Sequence, residues 1–184
     1  GLHGKPWVFV DHHLAHAASA YRVSGFDEAT IITVDGNGEG DSGISGVCRD
    51  GRIRILERRP IAHSLGVFYG NVTQLLGFVR HLDEGKVMGL AAYGEARLRL
   101  SGLHIGERGY HIRRRYNHGG FWREFTCQRD PGAEIEPIHK DVAASAQEQL
   151  ELAGAALARG MFARTGIRKV CLAGGVALNC DMNS

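Results

Sequence analysis

The sequence predicts an α/β fold, and three observations support this class. Two apolar, β-branched segments and one segment of alternating apolar and charged residues, all between residues 29 and 58, have the length and pattern of successive strands. Apolar residues recur every three or four positions from residue 140 to residue 165, which is typical of a long amphipathic helix. A short apolar run, Val170–Ala173, then leads into two glycines, as a buried strand does when it ends in a tight turn.

The composition is that of one globular domain with a core of ordinary size. The chain has 184 residues, of which 43% are hydrophobic, and a formal net charge of +2. Such a weak net charge does not indicate nucleic-acid binding through phosphate neutralisation. The 26 glycines are about twice the average usage. They indicate tight turns and close backbone approaches rather than disorder.

The cysteines and the hydropathy indicate a cytoplasmic protein without a membrane partner. The four cysteines show neither a CxxC pair nor a zinc-ribbon spacing, which favours reduced thiols. No apolar stretch approaches the roughly 18 residues that span a bilayer, and no signal-peptide pattern opens the chain.

The first elements follow from local sequence chemistry. Residues 7–10 (Trp-Val-Phe-Val) predict a short buried strand, and Asp11 is a good N-cap for an alanine-rich helix over residues 12–24. Strands are predicted over 29–34, 44–48 and 52–58. Because Asp50-Gly51 is a strong two-residue hairpin signal, these strands should form an antiparallel meander.

Helical spacing returns over residues 65–76 and 86–93 and is lost after residue 97. Residues 97–137 are predicted to form a loop-rich insertion, with room for a hairpin around 106–112. The arginine run 113–115 lies there and is expected to face solvent rather than to bind phosphate. The helix over 140–165 should stop at Gly166.

Histidines at helical spacing suggest a metal site. His12 and His16 lie one turn apart on one helix face, where they can share a divalent metal with a third ligand from elsewhere. The spacing alone is weak evidence for a metal site, since such pairs are more often surface or capping histidines. His13 points about 100° away and is not expected to be a ligand.

Asp35 strengthens this hypothesis because it ends a predicted strand and begins a glycine-rich turn. The turn holds Gly36, Asn37, Gly38 and Glu39, whose backbone N–H groups can cradle phosphate oxygens. A carboxylate at that strand end can hold a metal against the same phosphates. The alternative is an ordinary Asp-Gly turn.

The motif at residues 174–179 and the motif around Lys86 can each be interpreted as a ligand-binding site or as a purely structural feature. Gly174 and Gly175 end a strand where α/β folds place nucleotides, but such a pair is also a generic turn. Asn179 would bind a ribose or base, or cap the next helix. Lys86 would bind phosphate or carbamate, or belong to a helix start whose acidic neighbours complement the helix dipole.

Five motifs together resemble one family. DHHLAHAASA, ITVDGNGEGDSG, SLGVFYGNVTQLLGF, EGKVMGLAAYG and LAGGVALNCDMN occur in the order found in the O-carbamoyltransferases of nodulation-factor and antibiotic biosynthesis. The resemblance covers nearly the whole chain except about 97–138.

The resemblance implies an incomplete ribonuclease-H-like, actin-like ATPase fold, similar to that of the tRNA threonylcarbamoyl-transfer subunit. Residues 1–28 would end the first lobe, and 29–184 would form most of the second, with a variable insertion at about 97–138. The chain is expected to be an interior fragment. The YrdC-like C-terminal domain and a late metal-binding aspartate would lie outside it.

The resemblance also implies the chemistry. Carbamoyl phosphate and ATP would give carbamoyl-adenylate, whose carbamoyl group passes to a hydroxyl of a small molecule. His12, His16 and Asp35 would bind Fe²⁺ or another divalent metal, and His13 is a candidate for taking the hydroxyl proton. The fragment alone is expected to be inactive. The adenylate would contact Gly36, Asn37, Gly38, Glu39, Lys86, Gly174, Gly175 and Asn179.

Two other classes remain as alternatives. One is a tRNA threonylcarbamoyl-transfer enzyme, against which the small net charge and the EGKVMGLAAYG motif argue. The other is a non-catalytic actin-like nucleotide-binding module, which would hold Mg²⁺ through carboxylates and phosphates rather than paired histidines. The sequence does not indicate the acceptor or the oligomeric state.

Overall fold

The computed structural model describes residues 4–184 and confirms the α/β class. Four strands form one mixed sheet in the order β3-β2-β1-β6, and two more form a separate hairpin. The strands are β1 (Glu28–Thr33), β2 (Asp41–Arg49), β3 (Arg52–Pro60), β4 (Leu103–Gly106), β5 (Gly109–Ile112) and β6 (Val170–Ala173). The α-helices are α1 (His12–Val23), α2 (Leu65–Leu75), α3 (Glu84–Ala91), α4 (Gly120–Glu124), α5 (Pro137–Thr165) and α6 (Cys180–Asn183).

The predicted antiparallel meander is confirmed. Asp50 and Gly51 have φ angles of 50° and 73°, which are the left-handed values that a tight two-residue hairpin turn needs. Strand β2 pairs antiparallel with both β1 and β3, whereas β6 returns parallel to β1. Strand β1 is therefore central, and all its residues after Glu28 are buried.

Each face of the sheet has its own apolar cluster. Side chains of a strand alternate between faces, so Ile31 belongs to the cluster that α1 covers, with Ala17 and Tyr21. Ile32 belongs to the larger cluster formed with α2 and α5. The sheet thus separates the helix that carries the paired histidines from the main core.

The helix ends have local capping contacts, including the two predicted at Asp11 and Gly166. The Asp11 carboxylate accepts a hydrogen bond from the Leu14 N–H at the start of α1. Ser64 caps α2 in the same way. Helix α5 has Pro137 in its first turn and ends at Gly166, whose φ of 75° is left-handed. The predicted helices over 65–76, 86–93 and 140–165 are confirmed within a few residues.

The prediction of a buried strand over residues 7–10 is wrong. These residues form no strand, and Trp7, Val8, Phe9 and Val10 are 71%, 82%, 94% and 55% exposed. An apolar run becomes a strand only when a neighbouring strand supplies hydrogen-bond partners. In the described part of the chain, no strand lies beside residues 7–10.

The segment 97–138 is more than a loop-rich insertion. It contains the β4–β5 hairpin where one was expected, and the arginines at 113–115 are exposed as predicted. It also contributes five buried side chains to the main core, at irregular spacing that hides them from periodicity analysis: Leu100, Leu103, Ile112, Tyr116 and Phe121.

The assignment to the ribonuclease-H-like or actin-like fold, and the division into lobes at residue 28, stay predictions. Helix α1 precedes that boundary and shares an apolar cluster with the sheet. Among residues 4–184, no helix combines the length and the apolarity that crossing a membrane requires.

We expect Leu150→Ala to lower the free energy of unfolding by about 2–5 kcal/mol, because it leaves a cavity in the main core. Leu152 lies two positions further along α5 and is 45% exposed. Leu152→Ala is the matched control and should cost less than about 1 kcal/mol. Urea unfolding followed by circular dichroism measures both. Equal losses would contradict the placement of α5 in the core.

Candidate metal centre

Two elements bring three metal-ligating side chains together. Asp11 fixes the start of α1, so that His12 and His16 lie on the same face of the helix. Asp35 lies two residues after Thr33, the last residue of β1, and its carboxylate lies opposite both imidazoles. The structure therefore brings the three predicted ligands to one point.

The donor atoms have the mutual distances that ligands of one ion have. Asp35 Oδ2 lies 3.1 Å from His12 Nε2 and 2.9 Å from His16 Nε2. The two imidazole nitrogens are 3.2 Å apart. Ligands about 2.1 Å from a divalent ion lie about 3.0–3.4 Å from one another. The residues present therefore fit a divalent metal, and they form a two-histidine, one-carboxylate donor set.

The two oxygens of Asp35 have separate tasks. Oδ1 accepts a hydrogen bond of 2.7 Å from the Gly36 N–H, while Oδ2 faces the histidines. Burial acts to raise the pKa of Asp35, but hydrogen bonds from His12 and from the Gly36 and Gly175 backbone outweigh it, so the pKa is lowered. The carboxylate is thus held ionised and oriented for ligation.

The centre is partly open to solvent. The side chains of His12, His16 and Asp35 are 39%, 33% and 19% exposed. A site with three protein ligands on one side leaves other positions for water or substrate, which is typical of catalytic rather than structural metal sites.

His13 has a different environment from its two neighbours. Its side chain is 1% exposed, and Nε2 donates to the Asp41 carbonyl at 3.1 Å. Nδ1 lies 3.3 Å from the Thr33 hydroxyl. Both ring nitrogens are engaged away from the open side of the centre, so this position does not favour the expected role in taking a proton. His13 ties α1 to β1 and β2.

The glycine-rich turn after Asp35 supports the histidines directly. A side chain at Gly38 would place Cβ 2.2 Å from His12 Cδ2, so only glycine fits there. The Gly38 N–H donates to the Asp41 carbonyl, and the Asn37 side chain accepts from the Gly40 N–H. Glu39 is exposed with a φ of 56°. Some donors expected to hold phosphate thus stabilise the turn itself.

A cavity of about 470 Å³ adjoins the centre through Asp35 and brings several predicted nucleotide residues together. Gly36, Gly175 and Asn179 line it from the sheet side. Gly174 has a φ of 101°, and its Cα is so close to β1 that a Cβ would lie 2.3 Å from the Val34 carbonyl oxygen. Much of the remaining lining is apolar or aromatic: Tyr69, Leu82, Met88, Leu150, Val176 and Leu178.

Asn179 has both a capping role and a place in the cavity wall. Its Oδ1 accepts from the Met182 N–H, which caps α6. Its amide also pairs with Gln147 through two hydrogen bonds of 2.9 Å. The Tyr69 hydroxyl donates to the same Gln147 at 2.8 Å. The sequence analysis did not identify Gln147 or Tyr69 as parts of the site. The available signal for Gln147 was the presence of a glutamine on the apolar stripe of α5, three positions before Leu150.

Lys86 is not brought to the cavity. Its Nζ lies 2.8 Å from Asp83 Oδ1, and the side chain is 62% exposed. Glu84 and Gly85 line the cavity, but Lys86 does not. The structure therefore matches the alternative interpretation of this lysine, in which it belongs to the start of a helix with acidic neighbours.

The fold and the centre define a mixed α/β domain with an open His/His/Asp triad whose geometry suits a divalent metal. The carbamoyltransferase N-terminus family matches residues 2–184. The chain belongs to this family.

Relatives from bacteria agree with this assignment. The chain is 37% identical to the nodulation protein NolNO of Sinorhizobium fredii and 36% identical to the nodulation protein NolO of Bradyrhizobium diazoefficiens, over 95% of its own length in both cases. It is also 32% identical to an uncharacterized protein, sll1178, of Synechocystis. It spans only 26% to 32% of the length of these three proteins.

We expect His16→Ala to weaken binding of a divalent metal at least tenfold, because it removes one of three donors. Titration with Co²⁺, followed by absorption spectroscopy, measures the affinity. His104→Ala is the control, since His104 is exposed on β4. Unchanged binding in the His16 variant would refute the metal centre.

A second variant tests the support of His12 without removing a ligand. Gly38→Ala should displace the His12 ring and weaken Co²⁺ binding several-fold while the protein stays folded. Gly36 has open space where a Cβ would be, and Gly36→Ala keeps the N–H that holds Asp35. It should bind Co²⁺ as the parent does. Equal affinities in both variants would show that Gly38 does not position His12.

Proposed function

We infer that this chain forms the metal- and nucleotide-binding part of an ATP-dependent carbamoyltransferase whose acceptor is a hydroxyl group of a small molecule. The observation that carries this proposal is the convergence of His12, His16 and Asp35 within a domain of the carbamoyltransferase family. The nodulation proteins among the relatives favour a biosynthetic acceptor over a tRNA.

The residues of the centre have complementary roles in this proposal. His12, His16 and Asp35 would hold a divalent metal, which supplies Lewis-acid polarisation of phosphate or carbamoyl oxygens when bound. The Gly36 N–H orients Asp35 through its hydrogen bond to Oδ1, and Gly175 packs beside the same oxygen. The centre thus presents an ordered ligand set that adjoins the cavity through Asp35.

The adjoining cavity suits a nucleoside group. Its volume of about 470 Å³ is in the range of small-molecule sites, and its walls combine apolar side chains with a few polar groups. Tyr69 and Asn179 line the cavity, and both hydrogen-bond to Gln147, which holds the Asn179 amide in a single orientation. We propose that carbamoyl-adenylate binds here with its phosphate beside Asp35 and Gly36.

In the transfer step, the acceptor oxygen forms a bond to the carbamoyl carbon while the bond from that carbon to the adenylate phosphate oxygen breaks. Adenosine monophosphate leaves, and the acceptor hydroxyl loses its proton. Neither ring nitrogen of His13 is free to accept this proton in the structure. A group from the rest of the longer protein, the substrate or a water would have to take it.

Formation of carbamoyl-adenylate is assigned to the part of the protein that this chain does not contain. The relatives are three to four times longer than the matched region. We therefore propose that the chain alone binds metal and nucleotide but does not complete carbamoyl transfer.

The test uses the full-length protein with carbamoyl phosphate, ATP and a panel of hydroxyl acceptors. Asp35→Asn should reduce acceptor-dependent release of adenosine monophosphate at least a hundredfold, because it removes the anionic ligand at the cavity mouth. Asp50→Asn is the matched control, since Asp50 lies exposed in the hairpin turn, where asparagine is equally suited. Normal turnover of the Asp35 variant would contradict the proposal.

Nucleotide binding can be tested on the chain itself. Calorimetric titration with ATP should show binding that Co²⁺ strengthens, and Gln147→Leu should weaken it several-fold by freeing the Asn179 amide. A Gln147 variant that binds ATP like the parent would rule out the role proposed for the network.

A further inference from the structure

A second cavity of about 420 Å³ lies apart from the metal centre. It shares no lining residue with the first cavity, which adjoins that centre at Asp35. It is bounded by β2 and β3, by the tip of the β4–β5 hairpin, and by the last turns of α5. Helix α5 covers the face of the sheet opposite to α1 and its histidines. An occupant of this cavity would therefore bind independently of the metal.

The lining of this cavity is basic. It contains three arginines, Arg59, Arg108 and Arg164, and one carboxylate, Glu57. The local formal charge is thus +2, as large as that of the whole chain. Over residues 4–184, neither Arg108 nor Arg164 has a carboxylate oxygen within 4.0 Å. Two exposed guanidinium groups at the cavity are therefore without an anionic partner in the described chain.

Arg59 is the buried member of this set. Its side chain is 5% exposed; Nη2 donates to the Ser45 hydroxyl at 3.0 Å and lies 3.7 Å from Glu57 Oε1. The guanidinium also lies over the Tyr110 ring, 5.7 Å from its centroid. Nη1 has no hydrogen-bond partner among the described residues. A buried cation with so little compensation is costly, and a nearby anion would offset that cost.

Close backbone and hydrogen-bond contacts hold the walls of this cavity in place. At Gly160 the α5 backbone approaches the hairpin so closely that a Cβ would lie 2.2 Å from the Arg108 carbonyl oxygen. The Tyr110 hydroxyl donates to the His63 carbonyl at 2.8 Å. The first contact fixes the hairpin tip against α5, and the second ties the hairpin to the turn before α2, so Arg108 is held at the edge of the cavity.

We propose that this cavity binds the phosphate group of a small phosphomonoester. Guanidinium groups bind phosphate oxygens through paired, charge-assisted hydrogen bonds, and a dianionic phosphate matches the local charge. The volume is in the range of small-molecule sites. Leu157 and Met161 supply an apolar wall against which the organic part of the ester packs.

The test is a calorimetric titration of the metal-free 184-residue chain with phenyl phosphate and with inorganic phosphate. Phenyl phosphate should bind at least threefold more tightly, because only it reaches the apolar wall. The double variant Arg108→Gln/Arg164→Gln should weaken its binding at least tenfold. Arg59→Lys should also weaken it, because an ammonium group does not reproduce the planar guanidinium fork.

The control double variant is Arg114→Gln/Arg123→Gln, which removes the same charge from exposed positions outside the cavity. It should bind phenyl phosphate like the parent, as should His16→Ala. Equal weakening in both double variants would show only diffuse electrostatic attraction and would overturn the proposal. Equal affinities for the two ligands would overturn the assignment to a monoester.

Discussion

Strand β1 pairs with a strand on each of its sides, and the geometry of the metal centre depends on this double pairing. Its antiparallel partner β2 places the turn after Asp35 beside α1. The parallel partner β6 ends opposite Thr33, so that Gly175, two residues later, lies beside Asp35. The Val34 N–H donates to the Ala173 carbonyl, and the Val34 carbonyl accepts from the Val176 N–H. Two loops distant in sequence, 35–40 and 174–179, are thereby joined at one sheet edge.

This junction explains why glycine occupies several positions there. The left-handed φ of Gly174 and the absence of its Cβ allow the second loop to lie against the Val34 carbonyl. Gly66 lets the first turn of α2 approach the Gly36 backbone, where a Cβ would lie 2.7 Å from the amide nitrogen. Close backbone packing, rather than flexibility, accounts for the glycine content at this edge.

The two cavities of the domain differ in the charge of the residues that line them. The cavity beside Asp35 has two carboxylates, Asp35 and Glu84, in a largely apolar lining, and Asp35 connects it to the two imidazoles of the metal centre. The cavity under the β4–β5 hairpin is lined by arginines. A net charge of +2 for the whole chain conceals this separation, because total charge carries no information about where the charges lie.

Local chemistry in the sequence determined most of the secondary structure and two-thirds of the metal centre. Capping residues, the Asp50-Gly51 turn and helical periodicity act over a few positions, so they predicted α1, the meander and α5, and they placed His12 and His16 on one face. Only the tertiary structure decided which groups meet across the chain. It placed Asp35 against both histidines and buried His13. It also paired Gln147 with Asn179 and placed Arg59 in the wall of a second cavity. Residues 7–10 were mispredicted for the same reason, because burial and strand pairing require a partner, and a partner distant in sequence leaves no local pattern.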